Sequence, residues 1–546
     1  MTVRVTLSDP GLLAEAGRLV EQLVTDQVAS KIAGKDATLW GKEAEAEASI
    51  RLNWVELPRT SRPLVDQVIA MREKLRVAGI DRVVLAGMGG SSLAPEVICR
   101  TEDLPLTVLD TTDAGQVADT LAGDLAATVL VASSKSGSTV ETDSHYRIFT
   151  ERFAAAGLTP SEHIVVVTDP GSPLHGRADQ AGVTVVTADP HVGGRYSALT
   201  AFGLVPAGLV GAGIARLLDD AAQAAEVLSR DTSDNPGLLL GAALAARHSG
   251  GAEKVVLADT GSGIIGFGDW VEQLVAESTG KNGTGLLPVV VENAHAPGFA
   301  DASADATTVA IGPAAGNDHP NARITTGGSL GELILLWEYA TAVAGHLIGI
   351  DPFNQPDVEA AKAAARTLLD APSGHSSGDI DTATFLDGPV EVFAGDWLPA
   401  TTRTLPDALQ ALLDAAPARG YLAVQAYLDR IADASAAELR ARLAQISGLQ
   451  TTFGWGPRFL HSTGQYHKGG HQNGVFLQVT GAVAADVAVP DRPYSLASLQ
   501  RAQALGDGRV LAEHGRPVLR LNLTDRAAGL VQLARAVSEL HLGAKK

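Results

Sequence analysis

The sequence predicts an α/β fold built on parallel sheets, and three observations carry that expectation. Short apolar, β-rich runs recur at residues 83–86, 106–109, 128–132, 163–168 and 184–187, with helical patterns such as 144–156 between them. Loops dense in Gly and Ser follow two of these runs, GMGGSS at 87–92 and SSKSGST at 133–139. A second series opens at 254–258 and continues with a run at 287–291 and helices at 330–347 and 358–369. Two α/β halves in tandem are therefore expected, with ligands at the carboxyl ends of the strands, where both loops fall.

In chain order, residues 1–75 read as a helical N-terminal segment, with Leu12, Leu13, Ala16, Leu19, Val20, Leu23 and Val24 at helical spacing. Residues 76–250 form the first α/β domain and 251–372 open the second. DAPSGHSSGDID at 370–381 is a linker or surface loop. Residues 373–450 are expected to be a helical insertion, on the strength of a helical stretch at 405–446. Residues 451–546 complete the second domain with a Gly- and His-rich loop at 456–479 and a C-terminal helix at 527–542.

Composition excludes several classes of function. The 546 residues are 45% apolar and 19% charged, with a formal net charge of −20. That balance speaks against nucleic acid or an anionic membrane as partner, and an anionic ligand must be held by a local cluster of positive charge. Cys99 is the only cysteine, which excludes an internal disulfide and a cysteine-based metal site. The first thirty residues carry Asp9, Glu15, Glu21 and Asp26, unlike a signal peptide, and no stretch approaches a membrane span. A cytoplasmic location is expected.

The chemistry concentrates in a few places. SSKSGSTVET (133–142) offers the hydroxyls of Ser134, Ser136, Ser138 and Thr142 and the charge of Lys135 at the start of a helix, a place suited to phosphate. The plain alternative is a helix cap made by Ser138 or Thr139. GMGGSS lets a ligand approach the backbone and adds Ser91, but Ser92 at its sixth position breaks the dinucleotide fingerprint. GSGIIG (261–266) is a formal GxGxxG with Glu292 one unit later, which makes a nicotinamide- or flavin-dependent oxidoreductase the rival class. In DWVEQLVAESTGK (269–281), Gln273 and Glu277 share a helix face, and apolar neighbours would make Glu277 a base; a surface glutamate is the alternative. Arg195 in GGRYS is suited to a developing enediolate oxygen, or is an ordinary surface arginine. His461, His467 and His471 lie in one loop without a nearby carboxylate or HExxH, so proton handling is favoured over a metal.

Taken in order, GMGGSSLAP (87–95), SKSGSTVET (134–142), GGRYS (193–197), QLVAESTGK (273–281) and FNQPDVEAAK (353–362) resemble the phosphoglucose isomerase family. The resemblance implies two sugar-isomerase (SIS) type three-layer α/β domains with parallel sheets, plus helical N-terminal and inserted or C-terminal segments. It implies interconversion of glucose 6-phosphate and fructose 6-phosphate through a cis-enediol, without metal or organic cofactor. Ser134, Lys135, Ser136, Ser138 and Thr142 would hold the phosphate, with Gly90 and Ser91 near the sugar. Glu277 would move the proton between C1 and C2, Arg195 would stabilise the enediolate, Gln273 would contact substrate, and Lys362 would assist at the ring oxygen. A homodimer is implied, with a histidine donated across its interface. The family histidine normally lies between the Glu and Lys motifs; here HSTGQYHKGGHQNGVFLQV (461–479) carries a similar turn after Lys362. That placement is similar to the isomerase portion of fused transaldolase–phosphoglucose isomerase proteins. Spacing to the following β-like run favours His467 over His461 as the ring-opening group. A non-catalytic sugar-phosphate-binding protein is the third reading.

Overall fold

A computed structural model describes residues 3–313, 319–357, 369 and 382–541. Strand β1 (Arg4–Leu7) interrupts the expected helical N-terminal segment. Four residues are too few for a periodic signal. β2 (Arg82–Gly87), β3 (Thr107–Leu109), β4 (Thr128–Ser134), β5 (Ile164–Thr168) and β6 (Thr184–Thr187) form the first sheet, order β3-β2-β4-β5-β6. All its pairings are parallel. β4 is buried along its whole length, as a parallel strand covered on both faces should be.

β7 (Lys254–Asp259), β8 (Leu287–Val290), β9 (Ala306–Gly312) and β10 (Ile324–Gly327) form the second sheet, order β1-β10-β9-β7-β8. β1 is its antiparallel edge; the rest is parallel. The tandem α/β halves expected from the sequence are these two sheets. One hydrophobic core joins them to the N-terminal helices, with Trp54 stacked on Tyr196 at 5.1 Å.

The remainder departs from expectation. β11 (Phe385–Asp387), β12 (Val390–Ala394), β13 (Tyr421–Tyr427), β14 (Gln450–Trp455), β15 (Gly474–Gly481) and β16 (Val518–Leu523) make a third sheet, order β11-β12-β16-β15-β13-β14. It has its own apolar core, including Val390, Leu422, Leu477 and Leu521. Residues 382–450 are thus no helical insertion, and 451–541 do not complete the second sheet; the expected linker at 370–381 lies outside the described residues. The stretch 405–446 holds helix Leu405–Asp414, strand β13 and all but the last residue of helix Leu439–Ser447. The sequence of β13, YLAVQAY, is buried at every position, and such a run gives the same signal as a buried helix.

Buried ion pairs dock the third domain on the first. Arg430 reaches Glu96 at 2.7 Å, Arg458 reaches Glu96 at 2.6 Å and Asp110 at 3.1 Å, and Arg526 reaches Asp113 at 2.6 Å. Burial alone would raise the Glu96 carboxyl, but Arg458 and Arg430 outweigh it and hold it down at about 2. Among the described residues no helix is long and apolar enough to cross a membrane.

Candidate active site

A cavity of about 670 Å³ opens where the three domains meet. It lies at the carboxyl ends of β2 and β4, as parallel sheets dictate. The loop after β4 lines it with Ser134, Lys135, Ser136 and Ser138. Helix Val140–Ala155 follows, and the cap reading is not met: Thr139 makes no capping bond, its hydroxyl instead facing the Ser134 hydroxyl at 2.9 Å. The first N–H groups of that helix therefore lack a side-chain cap beside a cation and three serines. Lys135 donates to Asp169 at 2.6 Å and to the Pro190 carbonyl at 3.2 Å. Burial draws its ammonium below the usual value, with Asp169 partly opposing. Thr142 is buried and does not line the cavity.

Gly90 and Ser91 lie in the short turn after β2, Gly89–Ser91, and line the cavity. The glycines of this turn answer to close approach. A Cβ on Gly89 would stand 2.7 Å from the Gln273 amide nitrogen, and one on Gly90 would overlap the Gly194 carbonyl.

Helix Phe267–Thr279 presents Gln273 and Glu277 to the same space, as their four-residue spacing requires. Glu277 is buried at 5% exposure, so the surface-glutamate alternative falls. Arg195 is 2% exposed and is no surface arginine. Its Nε lies 3.2 Å from Glu277 Oε2, and its Nη1 donates to the Glu277 carbonyl at 2.8 Å. Arg195 also donates to Gln355 Oε1 at 2.6 Å, which ties it to the loop at 351–356. Lys281 clamps that loop through Asp351 and Asn354 carbonyls, both at 2.7 Å. Burial and the nearby Arg195 pull Lys281 down to about 6. Lys362 lies outside the described residues.

The histidines separate sharply. His461 lines the cavity, its Nε2 3.1 Å from Glu141 Oε1, and its carbonyl accepts from Gln273 at 3.0 Å. His467, favoured by spacing, is not among the cavity-lining residues. It stacks on Tyr421 at 5.7 Å, with Phe459 and Phe476 around it, and its Nδ1 meets the Tyr421 hydroxyl at 3.1 Å. Burial pushes it well below the usual imidazole value. Spacing to the next strand failed here because the short helix Gly464–Gly469 leaves His467 buried against Tyr421 and Phe476, which belong to the apolar cluster between the second and third sheets. His471 sits on the surface against Glu253 at 2.9 Å. Among the described residues no group of three or more His, Cys, Asp or Glu side chains is placed to hold a metal.

Sequence reading missed Glu141, Gln503 and Lys468, all lining the cavity. Glu141 stands inside the quoted SKSGSTVET, but nothing local reveals that its partner is 320 residues away. The N-terminal helical segment adds Arg51, which the phosphate reading did not anticipate.

The GSGIIG loop follows β7 and precedes a helix, as a dinucleotide loop would. However, the Asp259 carboxylate occupies its N–H groups, accepting from Gly261 at 2.8 Å and Ser262 at 3.3 Å. Its three glycines serve left-handed backbone, with φ of 98°, 77° and 82°. An anion already fills the place of a pyrophosphate, and the helix that follows delivers Gln273 and Glu277 instead.

No protein-family model matches the chain. Curated relatives do. A probable glucose-6-phosphate isomerase from Haloarcula marismortui is 31% identical over 361 residues, covering 56% of this chain and 82% of the relative. Glucose-6-phosphate isomerase from Rubrobacter xylanophilus is 30% identical, covering 57% of this chain and 87% of the relative. Among solved structures, a hypothetical protein from Thermus thermophilus matches with a TM-score of 0.57 at 23% identity, covering 68% of this chain and 100% of that one. A glucose-6-phosphate isomerase from Chlamydia trachomatis matches at 0.53 and 18% identity, covering 67% and 88%. The structural likenesses establish the fold, and the sequence relatives establish descent: the chain belongs to the glucose-6-phosphate isomerase family.

Proposed function

We propose that this chain interconverts glucose 6-phosphate and fructose 6-phosphate. The observation that carries the reading is the buried Glu277–Arg195 pair, 3.2 Å apart, facing the cavity that the serine- and lysine-rich loop also lines. An aldose–ketose isomerisation needs three things: an anchor for the inert phosphate, a group to open the ring, and a base for the C–H proton.

The loop at 134–138 anchors the phosphate, with Arg51 as a second cation. Incoming phosphate competes with Asp169 for Lys135, which turns an internal ion pair outward. His461 opens the ring. Its Nε2 is committed to Glu141, so Nδ1 is the atom left for the ring oxygen. Glu277 then takes the proton from C2 of the open aldose and returns it to C1, while in the enediolate the O2 proton passes to O1. The Arg195 guanidinium beside it stabilises the negative oxygen of the cis-enediolate. Histidine and acid come from one chain, so this arrangement needs no histidine from a second copy.

The direct test is a coupled assay of the purified chain on fructose 6-phosphate. Formation of glucose 6-phosphate supports the reading. Absence of turnover, with the fold intact by circular dichroism, overturns it.

A further inference from the structure

We infer that Gln503 is a positioning residue for the ring-opening histidine: its side-chain amide fixes Glu141 against His461. The inference rests on the isomerase reading above, in which His461 handles the ring proton.

Glu141 Oε1 meets two nitrogens, His461 Nε2 at 3.1 Å and Gln503 Nε2 at 2.6 Å. On its other side Gln503 Oε1 accepts from the Thr112 hydroxyl at 2.9 Å. A carboxylate can only accept, so the NH₂ of Gln503 must face Glu141 and its carbonyl must face Thr112. The order is therefore fixed: Thr112 donates to Gln503, Gln503 donates to Glu141, and Glu141 accepts from His461. Thr112, Gln503 and Glu141 are 0%, 4% and 2% exposed. Four segments meet in this chain: the turn after β3, helix Leu496–Glu513, helix Val140–Ala155 and the turn Arg458–His461. Two belong to the first domain and two to the third.

The chemistry needs such a donor. Glu141 must hold the His461 N–H without removing its proton. In a dry site a second N–H on the same oxygen stabilises the anion and lowers its appetite for a proton. The other ionisable groups near the pair come from every side. His145 lies one turn beyond Glu141, buried, with burial pushing it down to about 4. Tyr427, at the end of β13, has its phenol pushed up by burial. Lys468 and Asp507 pair at 2.5 Å, and Glu277 and Arg195 face across the cavity. Of these groups and Gln503, only Gln503 is neutral at every pH and donates to Glu141.

The test uses the full chain with Q503L and Q503E. The first readout is the His461 imidazole, titrated by NMR and assigned by its loss in H461N; it does not depend on activity. Q503E adds negative charge beside the pair and is expected to raise the His461 midpoint by about one pH unit. The second readout compares hexose phosphate turnover with C–H exchange on a tetrose phosphate, which has no ring to open. Q503L is expected to slow the hexose reaction by about tenfold with KM unchanged, since a positioned acid contributes at least that much. Exchange on the tetrose should stay at the wild-type rate. An unmoved His461 midpoint in Q503E, or equal losses on both substrates in Q503L, would overturn the inference. A Q503E midpoint that rises as expected, in a chain whose wild type turns over no hexose phosphate, would instead overturn the isomerase reading.

Discussion

On the wall of the cavity formed by the first two domains, most of the functional side chains lie close in sequence to the end of a strand or along one helix, with Arg51 and Arg195 added from connecting turns. Ser134 ends β4, Lys135 follows it, and Gln273 and Glu277 lie on the helix after β7. On the wall formed by the third domain, His461 meets Glu141 across 320 residues and Gln503 meets Glu141 across 362. The first wall rests mostly on local geometry, with Arg195 reaching Glu277 across 82 residues, and the second is an interface. In the proposed mechanism, phosphate anchoring and proton transfer at carbon belong to the first, and ring opening belongs to the second. The two should fail separately.

The largest effect should come from the first wall. Glu277→Gln removes the proposed base while keeping its size, and kcat should fall by about a thousandfold or more with KM little changed. Steady-state kinetics on fructose 6-phosphate measures it. Next comes the second wall. His461→Asn should slow hexose phosphate turnover by about a hundredfold, yet spare exchange on an acyclic tetrose phosphate. Equal losses on both substrates would merge the two walls into one.

Lys135→Met should act on binding. It removes the charged donor proposed for phosphate, so KM should rise by about tenfold or more while kcat is largely kept.

The interface itself should respond to acid. The Glu96 carboxyl is held at about 2 in the folded chain, below its usual range. A depressed carboxyl contributes stability in full above its unfolded value and loses it as pH falls toward 2. The third domain should therefore loosen from the first over that window, seen as a loss of hexose turnover before loss of far-UV signal. Glu96→Gln leaves Arg458 and Arg430 short of a buried partner and should cost about 3–5 kcal/mol in denaturant unfolding. The smallest effect on catalysis should be that of His467→Asn. It disturbs an aromatic cluster and should lower Tm, but should leave kcat at the wild-type value.

The contrast between the walls also marks what was legible in the sequence. The strands of the first sheet, the loop at 134–138, and the shared face of Gln273 and Glu277 follow from short-range pattern. β1 is four residues long, and β13 is buried on both faces. Neither carries the period that distinguishes strand from helix. The third sheet was missed with β13. Without that sheet nothing placed His461 against Glu141, and spacing along the chain pointed to His467. An interface leaves no periodic trace in either of the segments that form it.

The most direct test follows the proton at carbon. Glucose 6-phosphate carrying deuterium at C2 is converted by the chain in ordinary water, and the fructose 6-phosphate formed is analysed at C1. A carboxylate base that exchanges with solvent predicts deuterium partly lost to water and partly transferred to C1, with both products abolished in Glu277→Gln. An undiminished rate in Glu277→Gln, with deuterium still moved to C1 or lost to water, would contradict Glu277 as the base.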